Sequence, residues 1–106
     1  MVGGRVIEVC AVKEFPGRLF VDVCDRPYSR LETCAIYVER NETSERIQVG
    51  DSIWWQGRNA MWTPQDSQRL RAGVDHDIVI PRIGYSGVRH PRDWPAEDRA
   101  AYERGD

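Results

Sequence analysis

Apolar side chains recur at every second position through the first half of this chain, a spacing that fits strands rather than helices. In RVIEVCAVKEF (residues 5–15) the set is Ile7, Val9 and Ala11, with Glu8 and Lys13 partly on the other side. In RLFVDVCD (18–25) it is Leu19, Val21 and Val23, with Phe20, Asp22 and Cys24 opposite. In TCAIYVE (33–39) it is Cys34, Ile36 and Val38, with Ala35, Tyr37 and Glu39 opposite. A two-residue period buries one face of a sheet and leaves the other to water or to a second layer. Three half-buried strands are therefore predicted. Pro16-Gly17 joins the first two as a hairpin, and the polar run Arg40–Arg46 is a loop.

The stretch GDSIWWQGRNAMWTP (50–64) continues the pattern. Ser52–Gln56 reads as a strand and Ala60–Thr63 as its partner. Gly57-Arg58-Asn59 joins them, with residues that tolerate positive φ. Parity sets Ile53 and Trp55 on one face and Trp54 and Gln56 on the other, while Ala60 and Trp62 share a face. Pro64 ends the strand because it lacks the ladder donor. Residues 65–76 are polar and read as irregular. Ile78–Ile80 reads as a last strand stopped by Pro81. Asp93 is placed to cap a short helix over 95–104, with Gly105 just past its end. Gly3-Gly4 is read as preceding the first strand. The predicted core is Ile7, Val9, Val21, Val23, Ile36, Val38, Ile53 and Trp55.

Turn signals about every ten residues between short strands predict an all-β (mainly β) fold, a small five- to six-stranded barrel. At 106 residues, with 41% hydrophobic and 30% charged side chains, the chain fits one globular domain. Residues 1–80 are assigned to the barrel. Residues 81–106 form a C-terminal extension packing on it or trailing from it, with the possible short helix. Ile47-Gln48-Val49-Gly50-Asp51, a hydrophobic-x-x-Gly-Asp turn leading into a fourth strand, resembles the pattern of the OB-fold. The resemblance covers about residues 5–64. It departs from that fold in lacking an evident helix between the third and fourth strands, so SH3-like and other small barrels fit the pattern too.

The OB-fold resemblance implies that the outward aromatics Phe20, Tyr37 and Trp54 line a platform for single-stranded DNA or RNA. Arg18, Arg58, Arg69 and Arg71 stand near it as candidate phosphate contacts. In PRIGYSGVRHPRDW (81–94), Arg82, Arg89, His90 and Arg92 form a second basic cluster. The competing reading is structural: Trp94 and Tyr102 cover the aromatic face. The formal net charge of −2 excludes a uniformly basic binder and leans toward the alternative function, a protein-interaction or structural module, including self-association. No catalytic set is discerned. Asp75-His76-Asp77 suggests a metal ligand or a held base, yet neighbours on a strand diverge, and no ligand spacing supports it. No cofactor and no metal are expected. Cys10, Cys24 and Cys34 are odd in number, widely spaced and outside any CxxC pair, and no secretory leader is apparent. Reduced thiols in a cytoplasmic protein are expected, with Cys34 inward and the other two outward. No apolar run is long enough for a membrane span.

Overall fold

The computed structural model describes residues 2–24, 33–77 and 88–105. The strands are β1 (Val2–Ala11), β2 (Arg18–Cys24), β3 (Thr33–Glu39), β4 (Ser52–Gln56), β5 (Asn59–Thr63) and β6 (Ala72–Asp77). They close into a barrel in the order β1-β2-β3-β6-β5-β4, every pairing antiparallel. The chain makes two meanders, β1–β2–β3 and β4–β5–β6, joined by residues 40–51. Pairing of β1 with β4 and β3 with β6 closes the ring and removes the open edges that invite aggregation. The mainly-β barrel expected from the two-residue period is the fold observed.

The period also places most of the core. Val21, Val23, Ile36, Val38, Ile53 and Trp55 are buried together with Val6, Leu19, Ile47, Ala60, Trp62 and Val74, and Val9 packs against them. Ile7 does not belong to this set, contrary to parity. Val6 pairs with Val23 and Glu8 with Asp22, so Ile7 is the extra residue of a β-bulge. The bulge turns Val6 inward to full burial and leaves Ile7 43% exposed. Gly3 and Gly4, read as preceding the strand, lie within it and pair with Trp54 and Ile53 of β4. Strand β6, Ala72–Asp77, forms where residues 65–76 are read as irregular. The predicted strand at Ile78–Ile80 lies outside the described residues. Cys34 is exposed rather than inward, and all three cysteines stand as thiols.

Asp51 fixes the entrance to the β4–β5 hairpin. Its carboxylate accepts from the backbone N–H of Gln48 and of Gln65 at 2.9 Å each and from the Trp62 indole N–H at 2.9 Å. The Arg69 guanidinium closes on both oxygens at 2.8 and 2.5 Å. Burial works to raise this carboxyl's pKa. The Arg69 fork and the three N–H donors outweigh it and hold the group well below the usual carboxylate range. One side chain thus ties the turn before β4, the core indole on β5 and the loop leading to β6.

The C-terminal segment lies on the outside of the barrel. A 3₁₀ turn (Pro91–Asp93) precedes helix α1 (Ala96–Arg104). The helix begins after Pro95 with no side-chain cap, and Asp93, the predicted cap, sits in the 3₁₀ turn instead. Glu97 and Asp98 in the first turn and Arg104 in the last complement the helix dipole. Gly105 ends the helix at φ +81°, its N–H donating to the carbonyls of Ala101 and Tyr102. Trp94 and Tyr102 meet Phe15 edge-on, each at 5.9 Å between centroids. Arg99 pairs with Glu14 at 3.0 Å, and the Tyr102 hydroxyl donates to the Glu14 carbonyl at 2.7 Å.

Candidate functional site

Phe20 and Tyr37 pack together, their rings 5.5 Å apart, but they do not form an open platform. They are 4% and 1% exposed. Phe15 and His90 stack edge-on against them, and the Tyr37 hydroxyl donates to the Arg89 carbonyl at 2.8 Å. Phe15 and the segment at Arg89 and His90 supply this cover, while Trp94 and Tyr102, which the competing reading placed on the face, pack against Phe15 instead. Nor does Trp54 join the two. Gly3 pairs with Trp54 on one side of β1, and Cys10 pairs with Phe20 on the other. Seven residues of strand separate those positions, roughly 20 Å. The expectation of one face built from Phe20, Tyr37 and Trp54 is therefore corrected. Two are core of a second layer, and the third stands apart.

The expected basic residues are engaged elsewhere. Arg18 and Arg58 converge on Asp77, the former at 3.0 Å. They hold its carboxyl below the ordinary range, Arg18 the more strongly. Arg92 binds both oxygens of Glu8. Arg89 is an exposed residue whose carbonyl accepts from Tyr37. Arg82 lies outside the described residues. Asp75, His76 and Asp77 alternate across the barrel wall: His76 is buried against Trp55 at 6.2 Å, Asp75 is exposed and Asp77 half-buried. They do not converge on one point. Burial and the neighbouring Glu8 carboxylate push the Cys10 thiol up, the reverse of what a nucleophilic cysteine needs.

What is open is the outer face of β1, β4, β5 and β6. Its middle row, in register, is Gly3, Trp54, Met61 and Gly73. Trp54 is 41% exposed and Met61 54%. Glycines flank the pair on both sides, so no cross-strand side chain covers either flank. The row on one side carries Arg5, Ser52 and Thr63, and the row on the other carries Gln56, Asn59 and Asp75. Arg71, also exposed, precedes β6 two residues before Gly73. Trp54, Gln56, Asn59, Ala60 and Met61 line a shallow cleft of about 380 Å³. Arg58 stands at the tip of this same hairpin, its side chain 81% exposed although paired with Asp77.

Gly3 is required where it stands. A Cβ there would lie 2.2 Å from the Ile53 carbonyl oxygen and 2.6 Å from the Trp54 Cα, at φ +152°. The close approach of β1 thus sets buried backbone, with no side chain, beside Trp54. Sequence parity identified Trp54 but passed over Met61, which the same parity sets opposite Ala60 and Trp62. Gly73 escapes the sequence pattern because the alternation of residues 72–77 rests on only Ala72, Val74 and His76.

Comparison with protein-family profiles, with curated proteins and with solved structures finds no match for this chain.

Proposed function

We propose that this barrel is a binding module for single-stranded nucleic acid, acting in the cytoplasm, and that the Trp54–Met61 face is its contact surface. The observation that carries the reading is the exposed indole of Trp54, held in the middle of a regular sheet beside the exposed Met61 and opposite a glycine that brings no side chain over it. An indole in that setting offers a stacking surface to any base, worth about 1–3 kcal/mol per base. Arg5 and Arg71 on the same side supply cations for the phosphates, and Arg58 adds a third at the hairpin tip. Residues 46–92, which include this hairpin, carry seven basic and four acidic side chains, a local excess of positive charge within a chain of net −2. The OB-like pattern of the sequence supports the same reading.

Anisotropy of labelled single-stranded DNA and RNA oligonucleotides, titrated with protein at low and high salt, tests it. The expected result is binding that weakens steeply with salt, by a log–log slope of about −0.7 for each phosphate neutralised. Arg5→Ala and Arg71→Ala should each lower the slope. Absence of binding to both DNA and RNA at low salt overturns the reading. In that event, self-association that is insensitive to salt and lost in Met61→Asp assigns the face to a protein interface instead.

A further inference from the structure

Gly73 is a glycine that the fold does not need. It lies within β6, opposite Met61. Its φ is not positive. A Cβ built on it would meet only the Ala60 carbonyl oxygen, at 3.7 Å, which is ordinary contact. The contrast with Gly3 in the same row is sharp, because there the β1–β4 backbone excludes a side chain. A glycine inside a strand weakens it, having no side chain to pack and more freedom to lose on folding. A β-branched residue would serve the strand better. An interior strand glycine often marks a bulge, a tight bend or the close approach of a ligand or another backbone; the β5–β6 register runs here without a shift, so no bulge accounts for it.

We infer that a second base lies on the bare β6 backbone at Gly73, beside Met61, so that the face takes at least two consecutive unpaired nucleotides. The inference rests on the single-strand reading of the Trp54 face and names its ligand more narrowly. Trp54 on β4 and Gly73 on β6 are two strand spacings apart, roughly 9–10 Å. Successive bases in a duplex strand stand about 3.4 Å apart. A base on Trp54 and its neighbour at Gly73 are therefore splayed rather than stacked on each other, which a duplex does not allow and a single strand does. Arg5 and Arg71 flank the row on one side and give the backbone of that strand its counter-charge. On the far side the exposed Arg58 is paired with Asp77 and stands near Asp75, so that side offers less net positive charge.

The test is Gly73→Thr in the full chain, set beside Trp54→Ala. Threonine fills the slot and suits a strand, so the thermal midpoint should hold or rise. Quenching of tryptophan emission by a mononucleotide, which needs only the Trp54 position, should be unchanged in Gly73→Thr and lost in Trp54→Ala. Affinity for a single-stranded oligonucleotide should fall about tenfold in Gly73→Thr. If the threonine variant does not fold, Gly73→Ala, whose methyl has room, supports the same comparison with a smaller loss. Oligonucleotide affinity unchanged by a folded Gly73 variant, but reduced by Trp54→Ala, overturns the second position and leaves the Trp54 reading intact. No binding in the wild type overturns both.

Discussion

The indole N–H of Trp62 donates to the carboxylate of Asp51 at 2.9 Å, and neither residue has any exposed surface. A buried carboxylate is tolerated here because four groups satisfy it, the Arg69 guanidinium among them. Asp51→Ala leaves Arg69, the indole and two backbone N–H groups without their acceptor. Breaking a buried pair by removing one partner costs about 3–5 kcal/mol. Urea denaturation of Asp51→Ala should show a loss of that size, with Arg69→Ala losing part of it. A midpoint unchanged in Asp51→Ala would show that the network does not hold the hairpin.

The bulge in β1 makes a second expectation. Val6 is fully buried and Ile7 is 43% exposed, although Ile7 is the larger side chain. Val6→Ala should therefore cost about 2 kcal/mol and Ile7→Ala less than about 1 kcal/mol. The reverse order in chemical denaturation would restore the simple alternation and remove the bulge.

That reversal marks where the sequence could be read and where it could not. Period two placed β2, β3 and β4 and six of the eight core residues, because each of these strands keeps one face on the core except at the start of β3, where Cys34 is exposed. It failed at Ile7 because an inserted residue shifts parity without leaving a trace in composition. It failed at β6 because the inward set, Ala72, Val74 and His76, is short and weakly apolar, and the outward Gly73, Asp75 and Asp77 are residues typical of loops. For the site, parity distinguished Trp54 from Trp55 correctly. It could not show that Phe20 and Tyr37, also outward, lie beneath residues 88–105, since that contact joins positions more than fifty residues apart, Tyr37 with Arg89 among them.

Acid should unfold the protein through its paired carboxylates. The Asp51 carboxyl is held low by Arg69 and the N–H donors against the opposing effect of burial, and the Glu8 carboxyl is held low chiefly by Arg92. A carboxyl whose pKa is lower folded than unfolded adds stability above its unfolded value, about 4, and loses it as the pH falls toward the folded value. Asp22 has the opposite sign, because burial and then Glu8 raise it. Its ionisation works against the fold as the pH rises past about 4. With three lowered carboxyls, Asp51, Glu8 and the Arg18-paired Asp77, against one raised, the thermal midpoint should drop between about pH 5 and pH 2. In Asp51→Asn the drop should be shallower. An equal drop in that variant would remove Asp51 from the account.

The central claim, that Trp54 faces solvent to bind rather than to pack, is tested most directly by two readings on Trp54→Ala. One is the affinity for a single-stranded oligonucleotide at low salt, and the other is the free energy of unfolding, with Trp55→Ala as the buried comparison. The account predicts a loss of about 1–3 kcal/mol in binding with stability changed by less than about 1 kcal/mol. Trp55→Ala should cost about 3–5 kcal/mol of stability. Failure of the wild type to bind, or a Trp54→Ala stability loss matching that of Trp55→Ala, would contradict it.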